Sequence, residues 1–197
     1  GWRWPKHPGE DRPYYANLNT ANWKLFRYDK IFCICKGFYN KKPEHVENGD
    51  IPFIGATDSN NGITSLCNIS TIDATSKTGD ENNAPLEAKL FGPNCITVSN
   101  NGSVGYAFYQ PKVFTCTHDV NPLFLLKKWG IQLNQYIALF LCTVIEKDRY
   151  RWAYGRKWRP ARMPSSLIKL PIDKFGNPDW QFMEDFIKSL KYSKQLW

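Results

Sequence analysis

The chain has 197 residues, a formal net charge of +8, 15% aromatic residues and eight Trp. That length holds one ordinary domain with an appendage and a sizeable core, and so many rings exclude a disordered basic tail. The basic balance points to a polyanionic partner.

Residues 1–22 are rich in Pro and Asn and read as an irregular arm. Trp2 and Trp4 are expected to tie it down, unless it joins a longer upstream chain. Leu25 and Phe26, then residues 31–35, read as short extended pieces around a turn at Tyr28 and Asp29, closed by Gly37. A turn at Asn48-Gly49-Asp50 leads into a strand over residues 51–55, where Pro52 suits an edge or a strand start. Residues 57–62 form a polar loop, and residues 68–85, rich in Thr, Ser, Asn and Asp, are predicted to be loop as well. A strand over residues 95–99 is followed by Asn100-Asn101-Gly102, whose tolerance of positive φ marks a hairpin turn. Residues 103–109 return as a strand, and residues 113–117 form another.

Asn134 is a good N-cap for a helix carrying Ile137, Phe140, Leu141 and Val144 at helical spacing and running to about Lys147. Residues 167–172 read as the final strand. Asn177-Pro178-Asp179 then starts a second helix, predicted to continue to the end of the chain, with Glu184 and Lys188 paired along it. Met183, Ile187 and Leu190, extended by Trp197, form one apolar stripe. The stripe must pack on the domain or on another helix, and the latter is expected because the pattern stops in mid-course.

The charge is concentrated between Arg149 and Arg162. This stretch holds six basic residues, Arg149, Arg151, Arg156, Lys157, Arg159 and Arg162, and no acidic one. Tyr150, Trp152, Tyr154 and Trp158 are threaded between them. Guanidinium groups suit bidentate contact with phosphate and guanine edges, and flat rings suit stacking against bases and sugars. A solvated basic face beside a half-buried aromatic strand would carry the same composition. The nucleic-acid reading assigns Arg149, Arg151, Arg156, Lys157, Arg159 and Arg162 to phosphate or guanine, and Tyr154 and Trp158 to the groove. The polar turns add Asn60, Asn61, Asn100 and Asn101 as readers of base edges or backbone.

Catalytic signatures are sparse. No Gly-rich phosphate or dinucleotide loop opens a helix, no Cys–His or Ser–His spacing stands out, and the amino-methyltransferase motif is missing, since the string at Asn177 lacks a second Pro. The six cysteines form no CxxC pair and the three histidines are scattered, so no metal or cofactor is expected; buried, reduced thiols are the preferred reading, with disulfides left open by the even count. One rival is a magnesium-dependent endonuclease, in which Asp73 or Asp80 joins the E-x-K spacing of Glu87 and Lys89. Another is a protein-interaction scaffold using the terminal helix. No signal peptide is visible, and the longest apolar stretch, residues 136–145, is too short to span a bilayer; a soluble cytoplasmic protein is expected.

The order of the pieces resembles a known family. W-K-L-F from Trp23, F-C-I-C-K-G from Phe32, G-D-I-P-F-I-G-A from Gly49 and N-N-G-I from Asn60 come first. I-T-V-S-N-N-G-S-V-G from Ile96, Asp119-Val120, L-N-Q-Y-I-A-L-F from Leu133, Y-G-R-K from Tyr154 and I-K-L-P from Ile168 follow. Over residues 22–172 this is similar to the target recognition domain of the DNA-specificity subunits of type I restriction–modification systems. The tail from Pro178 to Leu190 resembles relatives serving combined restriction–modification enzymes.

The resemblance implies a mixed α+β fold: a single globular domain with a twisted, mostly antiparallel sheet, short helices and a C-terminal helix that packs on a partner. It implies an arm at 1–22, a recognition domain at 23–176 and the start of a spacer helix at 177–197. It also implies binding to double-stranded DNA without chemistry of its own, beside a methyltransferase subunit, a restriction subunit and a second recognition domain reached through the helix. A full type I subunit carries two such domains; this chain carries one, as a half-subunit, one end of a larger enzyme or an excised piece would.

Overall fold

The computed structural model describes residues 18–80, 83–152, 157–191 and 193. The chain enters through strand β1 (Lys24–Arg27), a single helical turn α1 (Tyr28–Ile31) and strand β2 (Phe32–Ile34). Tyr28 and Ile31 plunge into the core, so this turn acts as an anchor between two extended pieces. Strand β3 (Ile51–Ile54) follows, then a 3-10 turn at Asn60–Gly62 and strand β4 (Ile63–Cys67). Pro52 sits on β3 opposite Leu66, while the parallel neighbour on the other side reaches only Phe53 and Ile54. The proline thus lies beyond the end of that parallel ladder, as its missing N–H demands.

Residues 68–85 depart from the expected loop. They open with helix α2 (Ile69–Ala74), set by a reciprocal cap between Asn68 and Thr71. A 3-10 turn at Leu86–Ala88 leads to strand β5 (Cys95–Ser99), buried at every residue. Strand β6 (Ala107–Gln110) pairs with it, so the hairpin connection is longer than a two-residue turn and the returning strand shorter than expected. Strands β7 (Thr115–Cys116) and β8 (Val120–Leu125) precede helix α3 (Gln135–Lys147). Asn134 caps α3, accepting from the backbone N–H groups of Tyr136 and Ile137. Strand β9 (Leu167–Leu170) and helix α4 (Trp180–Ser189) come last among these elements, with Asp179 as the N-cap of α4.

The expected mixed α+β fold with mostly antiparallel strands is present, and among the described residues its strands are divided among three sheets in the orders β1-β9, β2-β8-β5-β6 and β4-β3-β7. Between these described strands all pairings are antiparallel except β3 with β7. The main core lies between the four-stranded sheet and α3, and takes in Tyr28, Ile96, Val98, Leu123, Ile137, Leu141 and Ile145. Four of the six cysteines are buried and all six are free thiols.

Helix α4 corrects one expectation. Met183 and Ile187 are buried in the chain's own core, Leu190 packs against it, and the helix lies along α3. Phe182 and Phe186 meet Phe140 of α3 edge-on, at 6.4 and 5.9 Å between ring centres. Burying an apolar side chain is worth about 1.5–3 kcal/mol, and α3 offers that burial within the same chain. The stripe is therefore spent internally. The helix also ends at Ser189, with Leu190 already extended; Trp197 lies outside the described residues.

Candidate nucleic-acid interface

Three loops leave the sheets at one end. Ser99 at the end of β5 pairs with Val120 at the start of β8, so the connection over residues 100–106 and the turn over residues 117–119 begin side by side. Asn100 is buried between them. Its backbone N–H donates to the Asp119 carbonyl at 2.8 Å, and its side-chain amide donates to the His118 carbonyl at 3.1 Å and to Asn121 Oδ1 at 2.7 Å. Asn100 is therefore a strut rather than the surface reader expected of it, because those bonds consume its amide. Asn101 is half-buried and donates to Asp119 Oδ1 at 3.0 Å.

The third loop, residues 55–62, closes against the first: a Cβ placed on Gly102 would stand 3.6 Å from the Ala56 carbonyl. Asn60 and Asn61 both adopt left-handed backbone, with φ of 50° and 51°, which Asn tolerates better than most residues. Asn61 donates to the Tyr109 carbonyl at 2.9 Å and its own carbonyl accepts from Gln110 at 3.0 Å, fixing the loop on β6. Asn60 stays exposed, with its amide donating to the Ile63 carbonyl.

The basic stretch reaches this cluster through a 3-10 turn at Arg149–Trp152, directly after α3. Arg149 lies over the Tyr106 ring, 4.3 Å from its centre, and its charge also meets that of Asp58 from the third loop. Gly105, at φ 82°, must be glycine: a Cβ there would stand 2.7 Å from the Arg149 Cβ. Glu146 anchors the start of β6 by accepting from the Ala107 N–H at 3.1 Å. Tyr150 is 69% exposed, and Arg151, 3.5 Å from Asp148, also faces its ring.

Trp158 corrects a second expectation. Only 1% exposed, it stacks on Trp152 at 5.0 Å, meets Tyr28 edge-on and donates its indole N–H to Ser166 at 2.8 Å. A ring so enclosed is unavailable to a base. It instead joins Trp152 to Tyr28 and Ser166 in the core. Lys157, Arg159 and Arg162 are exposed, and no ion pair among the described residues involves them. Tyr154 and Arg156 lie outside the described residues.

A family model for the type I restriction modification DNA specificity domain matches residues 20–196. The chain belongs to that family. This specificity domain is 35% identical over 175 residues to the type II restriction enzyme BgcI specificity subunit of Heyndrickxia coagulans, covering 89% of this chain and 45% of the relative. It is also similar to two solved structures. The first is a type I restriction–modification S subunit from M. genitalium, with a TM-score of 0.58 and 18% identity over 89% of this chain and 41% of that one. The second is the HsdS subunit from Thermoanaerobacter tengcongensis, with a TM-score of 0.53 and 15% identity over 96% of this chain and 39% of that one. At those identities the two structures speak for the fold alone. The chain spans less than half the length of each relative.

The specificity domain uses the E-x-K triplet structurally. Lys89 is fully buried and its ammonium donates to the carbonyls of Ile72, Asp73 and Thr75 at 3.0, 2.7 and 3.0 Å. Those carbonyls close α2, where the helix leaves acceptors unsatisfied and favours a cation. Burial lowers the pKa of this ammonium, with Asp73 opposing the shift. All three donors are spoken for, so Lys89 is not free to activate water beside Glu87, which stays on the surface. Among the described residues no group of three or more His, Cys, Asp or Glu is arranged to hold a metal ion, and no helix is long and apolar enough to cross a membrane.

Tyr150, Tyr106, His118 and Asp119 are surface or loop groups that the sequence did not single out as readers. Tyr150 was visible inside the basic stretch, but spacing alone does not tell it from Trp158. His118 and Asp119 form a polar pair between two apolar strand runs, and Asp119 also stands among the pieces of the family resemblance.

Proposed function

We propose that this chain is a sequence-specific reader of double-stranded DNA that directs a restriction–modification methyltransferase, and a restriction subunit where one is present, to a short site in the cytoplasm. The observation that carries the reading is the convergence of loops 55–62, 100–106 and 117–119 with Arg149 and the exposed Tyr150 at one end of the sheets. Loops on a rigid scaffold position polar groups for base edges, while arginine and lysine supply the phosphate attraction. Asn60, Asn61 and Asn101 are assigned to base edges or backbone, Arg149 and Arg151 to phosphate or guanine, and Lys157, Arg159 and Arg162 to phosphate; Arg156 and Tyr154 stay in the same reading as cation and ring. The chemistry belongs to the partner, which would flip the base it methylates.

The division into an arm at 1–22, a recognition domain at 23–176 and a spacer beginning at 177 belongs to this reading too, with α4 docked on the domain. A second recognition domain would then be met by the outer side of that docked helix, not by Met183 and Ile187.

The test is a selection from duplexes with a random centre, with the methyltransferase subunit present. A short enriched motif is expected. Replacing Arg159 and Arg162 by Ala should lower affinity for every sequence alike and reduce the slope of log affinity against log salt by about one for each contact removed. A pool that stays random, or a salt slope near zero, overturns the proposal.

A further inference from the structure

The turn over residues 117–119 carries a carboxylate within a surface assigned to a polyanion. Asp119 Oδ1 accepts from Asn101 at 3.0 Å and lies 3.4 Å from His118 Nε2. The side chains of His118 and Asp119 are 50% and 28% exposed. The Tyr39 carbonyl receives the His118 backbone N–H at 2.8 Å and stands 3.1 Å from His118 Nδ1. A carbonyl only accepts, so Nδ1 donates to it and the ring is held with Nε2 beside the Asp119 carboxylate. The Asn101 amide is oriented in the same way. Its nitrogen faces the carboxylate, since the reverse would set two oxygens 3.0 Å apart, and its oxygen is turned from Asp119. The acceptors offered here are therefore the Asp119 carboxylate and the Asn101 oxygen.

Acceptors of this kind repel phosphate, and a carboxylate on a DNA-facing loop is favourable only where it meets a donor. In the major groove the donors are amino groups, N4 of cytosine and N6 of adenine; guanine and thymine present O6, N7 and O4, which are acceptors. The placement is rigid, because Asn100 ties this turn to the neighbouring loop through the carbonyls of His118 and Asp119. Arg149 stacks on Tyr106 of that same loop and supplies donors instead.

We propose that Asp119, held by Asn101 and flanked by His118, reads an exocyclic amino group of one adenine or cytosine in the target site. The inference rests on the DNA-recognition reading above.

The same random-duplex selection tests it, run on the full chain as wild type, Asp119→Asn and His118→Ala. Asn at 119 keeps an acceptor for Asn101 while losing the charge and adding a donor. The wild-type motif should hold an adenine or cytosine at one position, whichever base it is naming the amino group read. Asp119→Asn should cut discrimination at that position about tenfold, equivalent to about 1.4 kcal/mol, and leave the other positions unchanged. His118→Ala should weaken the same position and no other. A motif that both variants retain at full discrimination overturns the proposal, as does an equal loss of affinity for all sequences, which marks a merely structural turn. A wild-type pool without any motif overturns the DNA reading itself.

Discussion

The flank formed by α3 and α4 and the rim formed by the three loops are both well ordered by the chain, but by different forces. The flank is held by apolar area: Phe140 against Phe182 and Phe186, and Met183 and Ile187 buried beneath α4. The rim is held by amides. Asn121 is fully buried, with its amide donating to the Cys35 carbonyl at 2.6 Å, and Gln110 donates to Thr97 at 3.0 Å. Apolar packing is non-directional and tolerates small shifts, whereas each amide fixes a partner and an angle. The division suits a reader whose loops must hold base-edge geometry on a scaffold stabilised elsewhere.

The comparison breaks most sharply at Trp158, which lies in the basic stretch but belongs to the core. Trp158→Ala should destabilise the fold by about 3–5 kcal/mol, measured by urea denaturation, because Trp152 and Tyr28 lose the ring between them. The molecules that remain folded should keep their affinity for DNA. A variant of near-normal stability that no longer binds would return this ring to the interface.

A middle-sized effect is expected at Lys89. Lys89→Met fills a similar volume but leaves the carbonyls of Ile72, Asp73 and Thr75 without their donor. The loss should be about 1.5–3 kcal/mol, the range for a hydrogen-bonded charge, and hydrogen exchange should quicken in α2 before it does in α3. Unaltered stability together with lost cleavage of magnesium-treated plasmid would revive the nuclease reading.

Legibility followed the same divide. α3 could be read from Asn134 and an apolar period, and β5 from an apolar run before Asn-Asn-Gly, because burial of one face leaves a pattern in the chain. α2 could not. Its six residues carry one buried side chain, Ile72, and its two ends are fixed by a cap within the segment and a lysine 15 residues beyond Ala74. The stripe on α4 does not name α3, because a stripe records that a face is buried, not what buries it. At the rim, Asn100 and Asn101 are neighbours of one type, and only the β5–β8 register tells the buried strut from its half-buried neighbour.

The smallest effect sharpens how the flank is clasped. Asn134, which caps α3, also donates to Glu184 Oε2 of α4 at 3.0 Å, and Lys188 bridges Glu184 Oε1 at 2.5 Å. The bonds from Lys188 and then Asn134 hold the Glu184 carboxyl below its ordinary value, against a weaker opposing push from burial. A carboxyl depressed in the fold binds fewer protons there than in the unfolded chain. Its contribution is therefore complete above the ordinary glutamate value of about 4.3 and drains away as pH falls through the lower folded value. Glu184→Gln keeps the shape and an acceptor for Asn134 but removes that titration. The thermal midpoint of the variant should sit slightly below wild type near neutrality, and the two curves should converge under acid. Parallel curves at every pH would mean that the clasp is purely a matter of shape, and that ring packing between Phe140, Phe182 and Phe186 alone joins the two helices.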